Sequence, residues 1–98
     1  MDKEKFIMEN WGEKRLDEIK NRLGISLKEL LETALKLNLQ NRITPHIGRR
    51  WTNEEDAFLT ENSHRLSVKD ASNLIYRSHY ATYQRVRVLG LHEMINKK

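Results

Sequence analysis

The sequence has no cysteine, a single proline, only four glycines and seven aromatic residues, and no stretch near the ~20 consecutive apolar residues that a membrane helix needs. Each shortage closes off a class. Without cysteine there are no disulfides, thiolate zinc sites or cysteine nucleophiles, and a secreted chain of 98 residues would ordinarily need such staples. Gly24, Gly48 and Gly90 stand alone, so no phosphate-cradling glycine loop is present. The opening Met1-Asp2-Lys3-Glu4-Lys5 carries both charge signs with no apolar segment after it, unlike a secretory leader. The expectation is a soluble, cytoplasmic protein without a membrane partner. His46, His64, His79 and His92 are too far apart to share a helical turn, so neither a metal nor a cofactor is expected. The Glu54-Glu55-Asp56 cluster has a sufficient structural reason, because acidic residues suit the first turn of a helix. Together with the small size, which leaves little room for a desolvated pocket, these features predict a protein that is not an enzyme.

What the chain does have is a repeat. Shifted by 52 positions, residues 6–39 match residues 58–91 without a gap, and seven of the 34 pairs are identical: Phe6/Phe58, Glu9/Glu61, Asn10/Asn62, Asn21/Asn73, Ser26/Ser78, Leu37/Leu89 and Leu39/Leu91. Five further pairs, such as Leu16/Val68 and Leu23/Ile75, keep apolar character. Each copy reads as three short helices. Thr52-Asn53-Glu54-Glu55 and Ser26-Leu27-Lys28-Glu29 have the form of capping boxes, Ser67 and Ser78 suit helix starts, and Gly90 suits a helix end. The reading is an all-α protein of two tandem three-helix helix-turn-helix bundles. Residues 1–39 form a degenerate repeat for packing or dimerisation, 40–50 a basic connector, 51–92 a DNA-binding repeat, and 93–98 a tail ending in frayed Asn96-Lys97-Lys98.

The link between the second and third helices of each copy, Gly24-Ile25 and Tyr76-Arg77, has helix-turn-helix spacing. A trihelical bundle is also simply an accessible small fold, so function rests on what the third helix presents. On 78–89 the inward positions are Ala81, Thr82, Val86 and Leu89, with Arg85 and Val88 at the margins. His79, Tyr80, Tyr83, Gln84 and Arg87 then face outward as candidate base contacts. Arginine can chelate a guanine and glutamine an adenine edge, while the tyrosines can stack, meet thymine methyls or bond a phosphate. The alternative for one of the two rings is to fold onto the small core. No acidic residue lies on this helix, and the segment from Arg77 to Lys98 carries five basic residues against one acidic, a balance equal to the whole net charge of +4. Arg49, Arg50, Lys69, Arg77 and Arg85 are the candidate phosphate contacts. About five such contacts predict an affinity loss of roughly 500-fold between 50 and 200 mM salt.

The same positions in the first copy are Leu27, Lys28, Leu31, Glu32 and Leu35. Leu27, Leu31 and Leu35 form a second apolar stripe beyond the inner face of Leu30, Ala34 and Leu37, more than one tiny bundle can bury. Three destinations remain open: the other repeat, a second chain in a homodimer, or a foreign protein. A homodimer would place two reading helices on half-sites about a helical turn, or a multiple of it, apart. Leu31→Lys is the discriminating substitution.

At Arg50-Trp51-Thr52-Asn53-Glu54-Glu55-Asp56, followed by Phe58-Leu59, the sequence resembles the opening of a Myb/SANT-like repeat, and Arg77-Ser78-His79-Tyr80-Ala81 with Arg85 and Leu89-Gly90-Leu91 looks like a recognition helix of bacterial or phage helix-turn-helix regulators. The resemblance covers residues 50–91 well and the first copy faintly. It implies a three-helix fold, sequence-dependent binding of double-stranded DNA through helix three, transcriptional control, and a place in the cytoplasm, nucleoid-associated, in a host cell if phage-encoded. The chain departs from it in lacking the further core tryptophans of Myb repeats, with Trp11 at the end of its helix one rather than before it. SANT modules also bind proteins, so the competing expectation is an adaptor or inhibitor acting through the leucine face. An accessory to a separate nuclease or recombinase would share the DNA contact without the regulatory role.

Overall fold

A computed structural model describes residues 2–95, and among them every regular element is helical. In chain order these are α1 (Lys3–Asn10), α2 (Leu16–Leu23), α3 (Leu27–Lys36), a 3-10 turn (Leu39–Asn41), α4 (Asn53–Glu61), α5 (Val68–Ile75), α6 (His79–Val88) and α7 (His92–Ile95). The starts follow from the sequence. The Ser26, Ser67 and Ser78 hydroxyls accept from the amides of Glu29, Asp70 and Ala81 at 3.1, 3.1 and 3.0 Å, satisfying donors that a helix start leaves orphaned. At Thr52 the box is reciprocal: its hydroxyl accepts from Glu55 N at 3.2 Å, and the Glu55 carboxylate accepts from Thr52 N at 3.1 Å.

The 52-residue shift carries α2 onto α5 and α3 onto α6, residue for residue. Side-chain roles repeat as well. The amides of Asn10 and Asn62 donate to the Phe6 and Phe58 carbonyls at 2.7 and 2.9 Å, and each third helix is followed by a left-handed residue, Asn38 or Gly90, and then a buried leucine, Leu39 or Leu91. After Leu91 the chain does not fray at once: α7 covers 92–95 and buries Met94, so the tail reading of 93–95 is corrected. The part of that reading on residues 96–98 lies outside the described residues.

The apolar surplus of α3 is absorbed inside the chain. Leu27, Leu30, Leu31, Ala34 and Leu35 are all buried, because α3 lies against α4 and α5 as well as α1 and α2. Of the three destinations open to Leu27, Leu31 and Leu35, the structure takes the one inside the chain, against the other repeat, and the expectation that they meet a second chain or a foreign protein is corrected. Polar contacts close the rim. Glu54 on α4 accepts from the Lys28 amide in the first turn of α3 at 3.2 Å, and Lys28 Nζ pairs with Glu61 at 2.9 Å, a hydrogen bond that raises the lysine pKa. One hydrophobic cluster extends from Ile7 to Met94, and the radius of gyration, 12.6 Å, is that of a single compact body of this length.

The segment 40–50 is likewise no loose linker. Asn73 Nδ2 donates to Gln40 O, Thr44 Oγ1 donates to Asn73 O and Ile47 N donates to Tyr76 O, each at 2.9 Å. Tyr76 stands where the first copy has Gly24, and both are left-handed, at φ 54 and 67°. A side chain at such a φ costs roughly 1–2 kcal/mol, and the Tyr76 ring offsets this by burial. It packs edge-on against Trp11, centroids 5.4 Å apart, while its hydroxyl accepts from Gly12 N and donates to Lys14 O.

Burial holds the Tyr76 phenol above its ordinary pKa of 10.0, against the opposing Gly12 hydrogen bond. The folded state thus holds this proton more tightly than the unfolded chain, so its contribution is complete below about pH 10 and is lost as the pH rises through the higher folded value. Tyr76→Phe should cost about 1–3 kcal/mol at neutral pH by orphaning Gly12 N and Lys14 O. The gap between wild type and variant in urea unfolding should narrow above pH 10. A gap that stays constant up to pH 11 would contradict this.

Candidate nucleic-acid interface

The third helix of the second copy, α6, begins at the Ser78 cap after the tight turn from α5 and packs on α5 and α7. Thr82 and Val86 are fully buried, which fixes the rotation of the helix; Ala81 and Leu89 are half-buried. His79, Tyr80, Arg87 and Val88 are exposed, whereas Tyr83 and Gln84 are half-buried. Of the two rings, Tyr80 stands 71% exposed and Tyr83 folds down onto the core. Val88, assigned to a margin from periodicity, is 73% exposed and joins Tyr80, Gln84 and Arg87 on one face. Its signal was available: 80, 84, 87 and 88 follow i, i+4, i+7, i+8 spacing. His79 and Tyr83 lie at the flank, where with Lys69, Asp70, Asn73 and Met94 they line a cleft of about 510 Å³.

Arg49, Arg77 and Arg85 are drawn into ion pairs with Glu55 and Asp56 of α4. Glu55 is fully buried. Its Oε1 accepts from Thr52 N, Thr52 Oγ1 and Arg77 Nη2, each at 3.1 Å, and its Oε2 accepts from Arg49 Nη2 at 2.8 Å and Arg77 Nε at 3.0 Å. Arg77, 5% exposed, also donates to the Arg49 and Arg50 carbonyls at 2.9 Å and stacks over Trp51, 3.8 Å from the ring centroid. Arg85 grips Asp56 with two hydrogen bonds of 2.9 and 2.6 Å, an arrangement that raises its pKa.

Three of the expected phosphate contacts are thereby corrected. Arg77 is sealed in. Arg49 is turned inward to the Ile75 carbonyl and to Glu55, a carboxylate it shares with Arg77, and Arg85 is paired one to one with Asp56, so both guanidinium groups are already engaged within the chain. Arg50 and Lys69 remain exposed without an ion pair among the described residues, as does Arg87 on α6. The residues of the Trp51-Thr52-Asn53-Glu54-Glu55-Asp56 run serve to orient α6: Thr52 and Glu55 start α4, while Trp51, Glu55 and Asp56 hold Arg77 and Arg85 at either end of the turn and helix that follow.

Among the described residues, no cluster of three or more histidine, aspartate or glutamate side chains is placed to hold a metal, and no helix is long and apolar enough to cross a membrane. Comparison with protein-family models, curated proteins and solved structures finds no match to this chain.

Proposed function

We propose that the protein is a small sequence-specific DNA-binding regulator, built as two tandem helix-turn-helix units of Myb/SANT-like type, in which α6 reads the major groove and the first unit is a scaffold. The observation that carries the reading is the contrast between two equivalent faces. On α3 the positions Leu27, Leu31 and Leu35 are apolar and buried against α4 and α5, whereas on α6, which packs chiefly on α5 and α7, their counterparts His79, Tyr83 and Arg87 are polar, and Arg87 joins Tyr80, Gln84 and Val88 on a face to which the helix contributes no acidic residue. An α-helix fits the major groove of B-DNA, Arg87 and Gln84 can chelate base edges, and Tyr80 and Val88 suit thymine methyls. The reading calls for no cofactor and no catalytic step. With the leucine stripe closed, an adaptor role through it loses its surface, and one copy addresses a short asymmetric site.

Arg87→Ala and Gln84→Ala should each cost ~1–3 kcal/mol of binding to a duplex selected from random sequence and relax preference at one position, with unfolding unchanged. Three free cations, Arg50, Lys69 and Arg87, make the expected affinity loss between 50 and 200 mM salt about 40-fold rather than 500-fold. Selection that enriches no sequence, or a flat salt response, would overturn the proposal.

A further inference from the structure

Residues 42–53 hold no acidic side chain, and the stretch 46–50 runs beside the start of α6 without regular secondary structure. It is held firmly. Ile47 N donates to Tyr76 O, and the buried Arg77 guanidinium donates to the Arg49 and Arg50 carbonyls, all at 2.9 Å. His46, Ile47 and Gly48 share a shallow cleft of about 120 Å³ with Ser78 and Ala81, so the stretch and the first turn of α6 form one continuous surface. Arg49 reaches inward, and Arg50 is left exposed with no ion pair among the described residues. Gly48 is exposed, its amide N–H has no acceptor among the described residues, and a Cβ added there would meet nothing within 4 Å.

We infer that residues 46–50 form a second contact to duplex DNA, in which a phosphate of the strand bordering the groove entered by α6 is received by the Gly48 amide and the Arg50 guanidinium. The inference rests on the proposed DNA-binding function, in which Arg50 already counts as a phosphate contact, and adds to it the Gly48 amide and the pinned stretch that holds the two together. A pinned backbone donor needs little ordering on binding, and the missing Cβ lets the phosphate approach the amide closely. A stretch tied down by three hydrogen bonds is suited to the fixed position of a phosphate, not to threading a minor groove.

The test is the salt dependence of binding to the selected duplex for wild type, Arg50→Gln, Gly48→Ala and, as a distant loss of one charge on α1, Lys5→Gln. Arg50→Gln should reduce the affinity loss between 50 and 200 mM salt from about 40-fold to about 12-fold and weaken all sequences alike. Gly48→Ala should unfold at the wild-type temperature yet bind about tenfold more weakly, because the methyl group separates the amide from a charged acceptor. Lys5→Gln should behave as wild type. Wild-type binding that neither Arg50→Gln nor Gly48→Ala alters would overturn the inference and leave the α6 reading intact. So would an equal effect of Lys5→Gln, or an Arg50→Gln loss confined to sites with A·T-rich flanks. Absence of wild-type binding would overturn the underlying function itself.

Discussion

Glu55→Ala should lower the thermal midpoint by roughly 15–30 °C, a loss of about 3–5 kcal/mol in a domain of ordinary stability. Three effects combine at this carboxylate. Its removal orphans the Thr52 amide at the start of α4, strips Arg49 of its ionic partner, and leaves the Arg77 guanidinium in the interior with no counter-charge. The last effect dominates, since Arg77 is 5% exposed and a buried cation without a partner is far more costly than an absent pair. Glu55→Ala combined with Arg77→Met should therefore be less damaging than Glu55→Ala alone, a positive coupling readable by chemical denaturation. A Glu55→Ala protein within about 1 kcal/mol of wild type would mean that the cluster contributes far less than its burial implies.

The same cluster marks the boundary of what the sequence disclosed. The starts of α4, α5 and α6 were legible at Thr52, Ser67 and Ser78 because a capping side chain acts on an amide three residues away. The registration of α2 with α5 and of α3 with α6 was legible because paired polar residues such as Asn10 and Asn62 perform one local task in both copies. Partnership across the fold was not legible. Arg77 finds Glu55 at a separation of 22 residues and Arg85 finds Asp56 at 29, distances over which a tally of charge says nothing about neutralisation. The exposed face of α6 thus keeps Arg87, while Arg77 and Arg85 are taken up by structural pairs. Val88 was misplaced for a gentler reason: a helix with only Thr82 and Val86 fully buried has a narrow inner face, and its margin lies a few tens of degrees from where periodicity drew it. Tyr76 in a left-handed turn carried no local signal, since its justification is a ring packed against Trp11.

The sequence leaves the leucine stripe three destinations, and Leu31→Lys tests the one inside the chain. Leu31 is fully buried between Leu27 and Leu35, on a helix that meets both α4 and α5. Replacing it removes a core side chain, costing ~2–5 kcal/mol, and brings an ammonium group into the apolar interior, so the sum should exceed about 5 kcal/mol and abolish the cooperative helical transition. The loss should be independent of protein concentration, since the seam lies within one chain. Leu31→Met, which nearly conserves volume, should cost less than about 1.5 kcal/mol and so certify that the lysine effect is one of charge and not of handling. A wild-type dimer converted by Leu31→Lys into a folded, fully helical monomer would instead place the stripe between chains, and the proposed scaffold role of the first unit would fall with it.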